Sequence, residues 1–302
     1  MNKSRFFRLF VCLVSSVLCL ASCSKYSRPK VLSQEMILMG TTAKIMIVPD
    51  SAQAKEAINT AFSILKKYDQ QMSYYAENSE LTNINNTAFS HPVRISEDLF
   101  DIIQKSLEYS RITEGAFDVT ATSLHREGGY GTILINTEKL EVSFRDSQTK
   151  IDLGGIVAGF SIDKVVEYFQ KIEIDNFLID IGGDIYAKGR NASGDLWQVG
   201  IRDPFRKNQL IATRTVDDEA VTTSGNYVKE HIMDPQSHNL VENNILSVTL
   251  VAKECIDADV FATAFFVMGQ KKTTEFLKHR LDIKAIFIVN DEAGAKIVSL
   301  GE

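Results

Sequence analysis

Cysteine, proline and histidine are scarce in this chain, at 4, 5 and 5 of 302 residues. So few imidazoles argue against a metal cluster built from histidine. No proline-rich linker, internal repeat or low-complexity tract divides the sequence, so one domain, of one or two lobes, is expected. The cysteines sort by position. Lys3, Arg5 and Arg8 supply a basic start, residues 9–20 are mostly apolar, and Leu20-Ala21-Ser22-Cys23 follows as a lipobox. That apolar run is shorter than the roughly 20 residues of a typical membrane-spanning helix. The expectation is a signal peptide over 1–22, lipid on Cys23, a polar tether over 23–30 and a folded domain over 31–302. Cys12 and Cys19 leave with the signal and Cys255 remains alone, which excludes an internal disulfide and a cysteine metal site. The predicted product is a bacterial lipoprotein held on the extracytoplasmic face of a membrane.

Positive charge is also in short supply. The formal charge of −6 becomes −9 once the three signal cations are set aside, which argues against nucleic acid and against charge-driven adhesion to anionic lipid. With no disulfide, the fold must rest on a hydrophobic core, and some 280 residues suffice to bury one.

What is present alternates between helical and extended patterns. Residues 36–48 read as one strand and 52–67 as an amphipathic helix, and Ser96 followed by Glu97 and Asp98 starts a helix running to about 111. Segments 132–135 and 140–144, joined by 136–139, form a hairpin pattern. A helix follows Gly155 to about 170, and extended segments are expected near 177–181, 197–201, 210–215, 220–223, 245–252 and 283–289. Two further helices are expected over 258–268 and 271–279. Hairpins mixed with helices indicate an α+β class, with mixed or antiparallel sheets and packed helices.

Several short motifs could carry chemistry. In Asp257-Ala258-Asp259-Val260-Phe261-Ala262-Thr263-Ala264, a helix would put Asp259 and Thr263 on one face near its N-terminus. Such a pair suits a hard cation and phosphate oxygens, although Asp257 or Asp259 could equally cap the helix. Asp152-Leu153-Gly154-Gly155 ends a strand in paired glycines and leads into a helix start that would favour phosphate. Its glycine spacing is not that of a dinucleotide fingerprint, and a tight strand-to-helix connection explains it as well. Gly182-Gly183-Asp184 is a second glycine turn. Gly115-Ala116-Phe117-Asp118 reads either as a seat for a planar heterocycle or as a loop plug with a capping aspartate. His231, three residues before Asp234, is either a structural histidine or a base. A serine elbow, a P-loop and a zinc-protease pattern are all missing.

In order, these motifs resemble the ApbE family of FAD:protein FMN transferases. The matching blocks begin with Met39-Gly40-Thr41-Thr42, Met72-Ser73-Tyr74-Tyr75 and Asn78-Ser79-Glu80-Leu81. Gly115-Ala116-Phe117-Asp118, Ile151-Asp152-Leu153-Gly154-Gly155 and Gly182-Gly183-Asp184 continue the match. It ends with Thr223-Ser224-Gly225, His231-Ile232-Met233-Asp234-Pro235 and Asp259 with Ala262-Thr263-Ala264. The resemblance implies magnesium-dependent cleavage of the FAD pyrophosphate, transfer of FMN to a threonine hydroxyl and release of AMP. The acceptor implied is a flavin-bearing subunit of an exported or membrane redox complex. By position, Met39, Tyr75, Ala116, Phe117, Asp118, Asp152, Ala158, Ile232 and Met233 would contact FAD. The Gly155 carbonyl, Asp259 and Thr263, with Ala262 beside them, would hold Mg2+, and His231 would be the base. The sequence departs from the family pattern at Ala158, where many members carry lysine, and at His238, where glycine is common. The first departure raises a second reading, a flavin-binding or FAD-hydrolysing scavenging lipoprotein with little transfer activity. A solute-binding lipoprotein with an unrelated ligand is a third.

Overall fold

Eight antiparallel strands form the central sheet of the computed structural model, which describes residues 28–123, 128–206, 208–226, 232–291 and 294–301. In chain order these are β1 (Leu32–Leu38), β2 (Thr41–Ile47), β6 (Phe177–Ile181), β7 (Asp184–Lys188), β10 (Glu219–Ser224), β11 (Ile245–Ala252), β12 (Lys284–Asp291) and β13 (Gly294–Leu300). The same order runs across the sheet, each strand bonded to the next. β3 (Val93–Arg94), β4 (Ile133–Asn136) and β5 (Glu141–Phe144) make a small second sheet, and β8 (Trp197–Arg202) pairs with β9 (Leu210–Val216).

The helices are α1 (Ala52–Gln71), α2 (Glu80–Thr87), α3 (Glu97–Ile112), α4 (Val157–Lys171) and α5 (Cys255–Leu277). One face of the sheet meets α1, α4 and α5 in the main core, where Phe160, Phe169, Phe177, Phe261 and Phe265 are fully buried. The opposite face carries a smaller cluster in which Trp197, Val199 and Val216 of the β8–β9 ribbon cover Leu178, Val221 and Val251. The layering is therefore helices, sheet and ribbon. The class expected from the sequence, α+β with antiparallel sheets, is the one observed.

Several details differ from the sequence reading, each for a local reason. The single strand expected over 36–48 is a hairpin, because Met39 and Gly40 adopt φ of 53° and 72° and reverse the chain. Ser96 does precede α3, but its side chain accepts no cap bond from the helix amides; its hydroxyl and backbone N–H donate to Glu80 instead. The two helices expected near the C-terminus, by contrast, are both present: α5 consists of two helical runs that meet at Gly269, whose φ of 75° and ψ of 172° are not helical. The extended segment that follows Gly182-Gly183, now β7, and the last strand β13 had no clear apolar alternation and were missed.

Candidate functional site

Two helix N-termini meet beside one end of the central sheet, and each is capped by the other helix. The first-turn amides of α5, Cys255 N–H and Ile256 N–H, donate to Oδ1 and Oδ2 of Asp163 on α4, both at 2.8 Å. In return, the first-turn Gly159 N–H of α4 donates to Asp259 Oδ2 on α5 at 3.1 Å. Orphan amides of both helices are thus satisfied reciprocally. The approach is close enough to require glycine: a Cβ on Gly159 would lie 2.7 Å from the Cys255 carbonyl oxygen and 2.9 Å from Asp259 Cβ.

This arrangement decides between the two readings of the acidic pair. Asp257 is structural, accepting from Tyr109 Oη at 2.6 Å and pairing with Arg280 at 3.1 Å. Asp259, only 6 % exposed, caps α4 rather than its own helix, and Oδ1 has no protein hydrogen bond among the described residues. Burial pushes its carboxyl up to about 7 against the pull of the Gly159 amide. Burial likewise raises Asp163 to about 7, its two amide bonds opposing.

One turn along α5, Thr263 Oγ1 lies 3.0 Å from Ser224 Oγ at the end of β10. Gly155 lies beside this pair: a Cβ there would make ordinary contact with Phe117 at 3.4 Å and with Thr263 Oγ1 at 3.9 Å. Asp259 and Thr263, one turn apart on α5, therefore share one locus with Gly155, about a hundred residues earlier in the chain. Oxygen donors of this kind fit a hard divalent cation. Ala262 is fully buried and its methyl group holds no electron pair, so the structure leaves its side chain a packing role.

The segments expected to line a flavin nucleotide surround this locus unevenly. Met39 lies in the β1–β2 turn, held by its N–H donating to Asp69 Oδ1 at 2.9 Å. Tyr75 is 89 % exposed on the loop after α1, its ring touched edge-on by Tyr74 and otherwise free for stacking. Phe117 is the plug of its loop, 4 % exposed, its N–H tied to Thr113 Oγ1 at 3.1 Å. Ala116 beside it is half-buried. Asp118 is spoken for by Thr120 N–H, Thr120 Oγ1 and Tyr130 N–H, at 2.7, 2.7 and 2.9 Å. Burial raises the Asp118 carboxyl, and His238 opposes that shift weakly. The Asp152 backbone bonds to Val119, and its Oδ1 accepts from Gly154 N–H at 2.9 Å, which shapes the turn into α4. Ala158 is buried in the first turn of α4.

Ile232 is buried and clamped by Asn226, whose Oδ1 accepts from Ile232 N–H at 3.0 Å; Met233 bridges to Leu240. His238 keeps the left-handed backbone, φ 54°, that a glycine would adopt at this point, so the turn survives the departure. Its Nδ1 is buried without a partner. His231, Cys23 and the signal segment lie outside the described residues.

The sequence reading did not find Asp163, since an aspartate seven residues into a helix carries no local sign that it caps another one. Nor did it give roles to Asp184 or Thr222, which the sheet register brings to the same end of the molecule.

Two helix N-termini, a buried carboxylate and hydroxyls gathered at one end of the central sheet of an antiparallel α+β fold make up the candidate site. The ApbE family model matches residues 39–287, and the chain belongs to the ApbE family. It is 28 % identical to the FAD:protein FMN transferase of Haemophilus influenzae, over 87 % of each chain. The protein of the same name from Vibrio cholerae is also 28 % identical, over 96 % of each. A solved structure titled flavin transferase ApbE from Vibrio cholerae superimposes with a TM-score of 0.80 at 26 % identity, covering 90 % of this chain and 97 % of that one.

Proposed function

We propose that this chain is an FAD:protein FMN transferase: it binds FAD with Mg2+, cleaves the pyrophosphate, passes FMN to a threonine hydroxyl and releases AMP. The observation that carries this reading is the convergence of Asp259, Thr263 and Gly155 beside the first turns of α4 and α5. Asp259, Thr263 and the Gly155 carbonyl would hold the cation, which when bound supplies charge neutralisation on the phosphate oxygens. The positive end of α4 faces the same locus, and of its first-turn amides Ala158 N–H has no acceptor among the described residues, which favours a diphosphate there. Tyr75 offers an open ring to the flavin or adenine, while Phe117, buried and with its N–H tied to Thr113, has only its backbone carbonyl to offer a ligand.

In the transfer, the acceptor threonine oxygen forms a bond to the FMN phosphorus as the bond to the bridging oxygen breaks. That oxygen leaves with AMP, and the hydroxyl proton passes to a base, for which His231 is the candidate. General-base assistance of this kind is worth on the order of 10²–10⁴ in rate. Water in place of the threonine would yield free FMN and AMP. A second reading, an FAD binder or hydrolase with little transfer, is favoured by Ala158, which puts a methyl group rather than a cation at the start of α4.

Incubation with FAD, Mg2+ and a threonine-containing acceptor peptide separates the two. Flavin fluorescence that stays with the peptide through denaturation supports transfer; FMN and AMP free in solution support hydrolysis; intact FAD after prolonged incubation supports the binder. Asp259→Ala is expected to abolish Mg2+-dependent turnover, and full activity in that variant would remove Asp259 from the site. The physiological acceptor in this reading is a flavoprotein subunit of a membrane redox complex. A lipid anchor on Cys23 would place the enzyme beside it, and the mass of the N-terminal peptide tests that anchor. No described helix is long and apolar enough to cross a membrane.

A further inference from the structure

Asp184 and Thr222 stand out as polar groups with nothing to do. Thr222 is 1 % exposed and its Oγ1 has no hydrogen-bond partner. Asp184 accepts no side-chain hydrogen bond among the described residues, although it is half-buried and its own burial is the main force raising its carboxyl.

Sheet geometry brings the two together. β7 and β10 are antiparallel, with Glu219, Ala220 and Val221 opposite Ala187, Tyr186 and Ile185. One more step in that register sets Thr222 across from Asp184. Ile185 and Val221 belong to the ribbon-side cluster, and Tyr186 and Ala220 to the main core. By strand alternation, Asp184, Thr222 and Ser224 therefore point to the helix side. Ser224 does so visibly, meeting Thr263. α5 packs on that face against β7 and β10.

The electrostatics name the neighbour. The charge that acts most on Asp184 is Asp259, followed by Asp180, and the buried Cys255 thiol feels Asp163, Asp184 and Asp259. No cationic side chain acts on either Asp184 or Asp259 among the described residues. Two acids facing each other in a low-dielectric interior need a positive partner, and an unpartnered buried hydroxyl beside them needs an oxygen or a cation to bond. If Thr222 served packing alone, valine would fill the same volume without the orphaned hydroxyl.

We propose that Asp184, with the Thr222 hydroxyl beside it, supplies the second carboxylate of the divalent-cation site at Asp259. This rests on the reading of Asp259 as a cation ligand given above. Asp184 is thereby a cation-binding residue of β7, on the sheet face against which the α5 ligands pack. The ion then sees two carboxylates rather than one, which matches a double positive charge in a site that no lysine or arginine among the described residues neutralises.

The test is Mn2+ binding to the full chain, read from the electron paramagnetic resonance signal of the free ion. ADP is present to supply a diphosphate and FAD is left out, so no turnover contributes. Asp184→Asn is expected to weaken Mn2+ binding by at least about tenfold, and Thr222→Val to weaken it less. Without cation, both variants should melt at or above the wild-type temperature, since one removes a like-charge contact and the other an orphaned hydroxyl. Mn2+ should then raise their melting temperatures less than it raises that of wild type. The proposal fails if Asp184→Asn binds Mn2+ within about twofold of wild type while Asp259→Ala does not bind it. Should Asp184→Asn fail to fold, Thr222→Val decides, and wild-type affinity in that variant overturns the proposal. If wild type itself takes up no Mn2+ with ADP present, the assignment of Asp259 as a ligand falls first, and this inference with it.

Discussion

In the proposed site a proton and a metal ion would compete for Asp259. Burial raises its folded-state pKa to about 7, well above the ordinary carboxylate value, so at neutral pH it is partly protonated. Binding a cation requires the ionised form, and affinity should therefore weaken as pH falls below about 7. The half-saturating Mg2+ concentration is expected to rise between pH 8 and pH 6, approaching about tenfold per unit at the acid end. A flat profile across that range would show that Asp259 is ionised before the metal arrives. Stability runs the other way. A carboxyl whose folded pKa is raised stabilises the cation-free protein below its unfolded pKa, and that contribution is lost as pH climbs through about 7. Without cation the protein should melt at lower temperature at pH 8 than at pH 6, and Mg2+ should restore most of the difference.

At the scale of elements, the junction of α4 and α5 is where small changes matter most. Asp163→Ala removes the acceptor for two first-turn amides of α5, a cap worth about 1 kcal/mol or somewhat more. Calorimetry should show a fall in melting temperature of roughly 2–4 °C for a domain of this size. Gly159→Ala should be worse, since the new methyl carbon would stand 2.7–2.9 Å from the Cys255 carbonyl, Ile256 Cα and Asp259 Cβ. Parting the helices by even a few tenths of an ångström lengthens the Gly159–Asp259 bond. A loss of about 1–3 kcal/mol is expected, together with weaker Mg2+ binding; unchanged metal affinity would separate the helix contact from the site.

These elements also show which parts were legible in the sequence. Periodicity and capping residues located α1, α3, α4 and most strands to within a few residues, because their signals are local. The β1–β2 hairpin was hidden because Met39 takes the left-handed conformation that glycine usually signals. β7 was hidden because Asp184 opens it toward the buried side, against the alternation expected of a strand. Asp259, Thr263 and Gly155 were visible as motif residues, and the structure brings them together. Asp163, Asp184 and Thr222 depend on helix crossing and sheet register, which no short window of sequence carries.

For the molecule as a whole, the central sheet works as a comb whose one end collects turns and strand ends from distant segments: Met39, Gly182 to Asp184, and Thr222 to Ser224. The core beneath it is continuous from the β1–β2 hairpin to β12, so the end that carries the candidate site is backed by buried core. Hydrogen exchange gives this a measurable form. The amides of Gly159, Cys255 and Ile256 should exchange together and only on global opening, because freeing any one of them requires the two helices to part. Fast exchange at Gly159 with slow exchange at Ile256 would mean that the halves of the junction open independently.

The exchange of caps between α4 and α5 also sets an order of events for a growing polypeptide. Residue 159 emerges with its amide unanswered, and the carboxylate that answers it is synthesised a hundred residues later. Until position 259 has arrived, the chain has neither the cap nor the proposed cation ligand, so a shortened product ending before it would not take up nucleotide by the proposed route. On the proposed reading, loading with ligand would be deferred until nearly the entire domain exists, and a bound nucleotide would certify a finished fold.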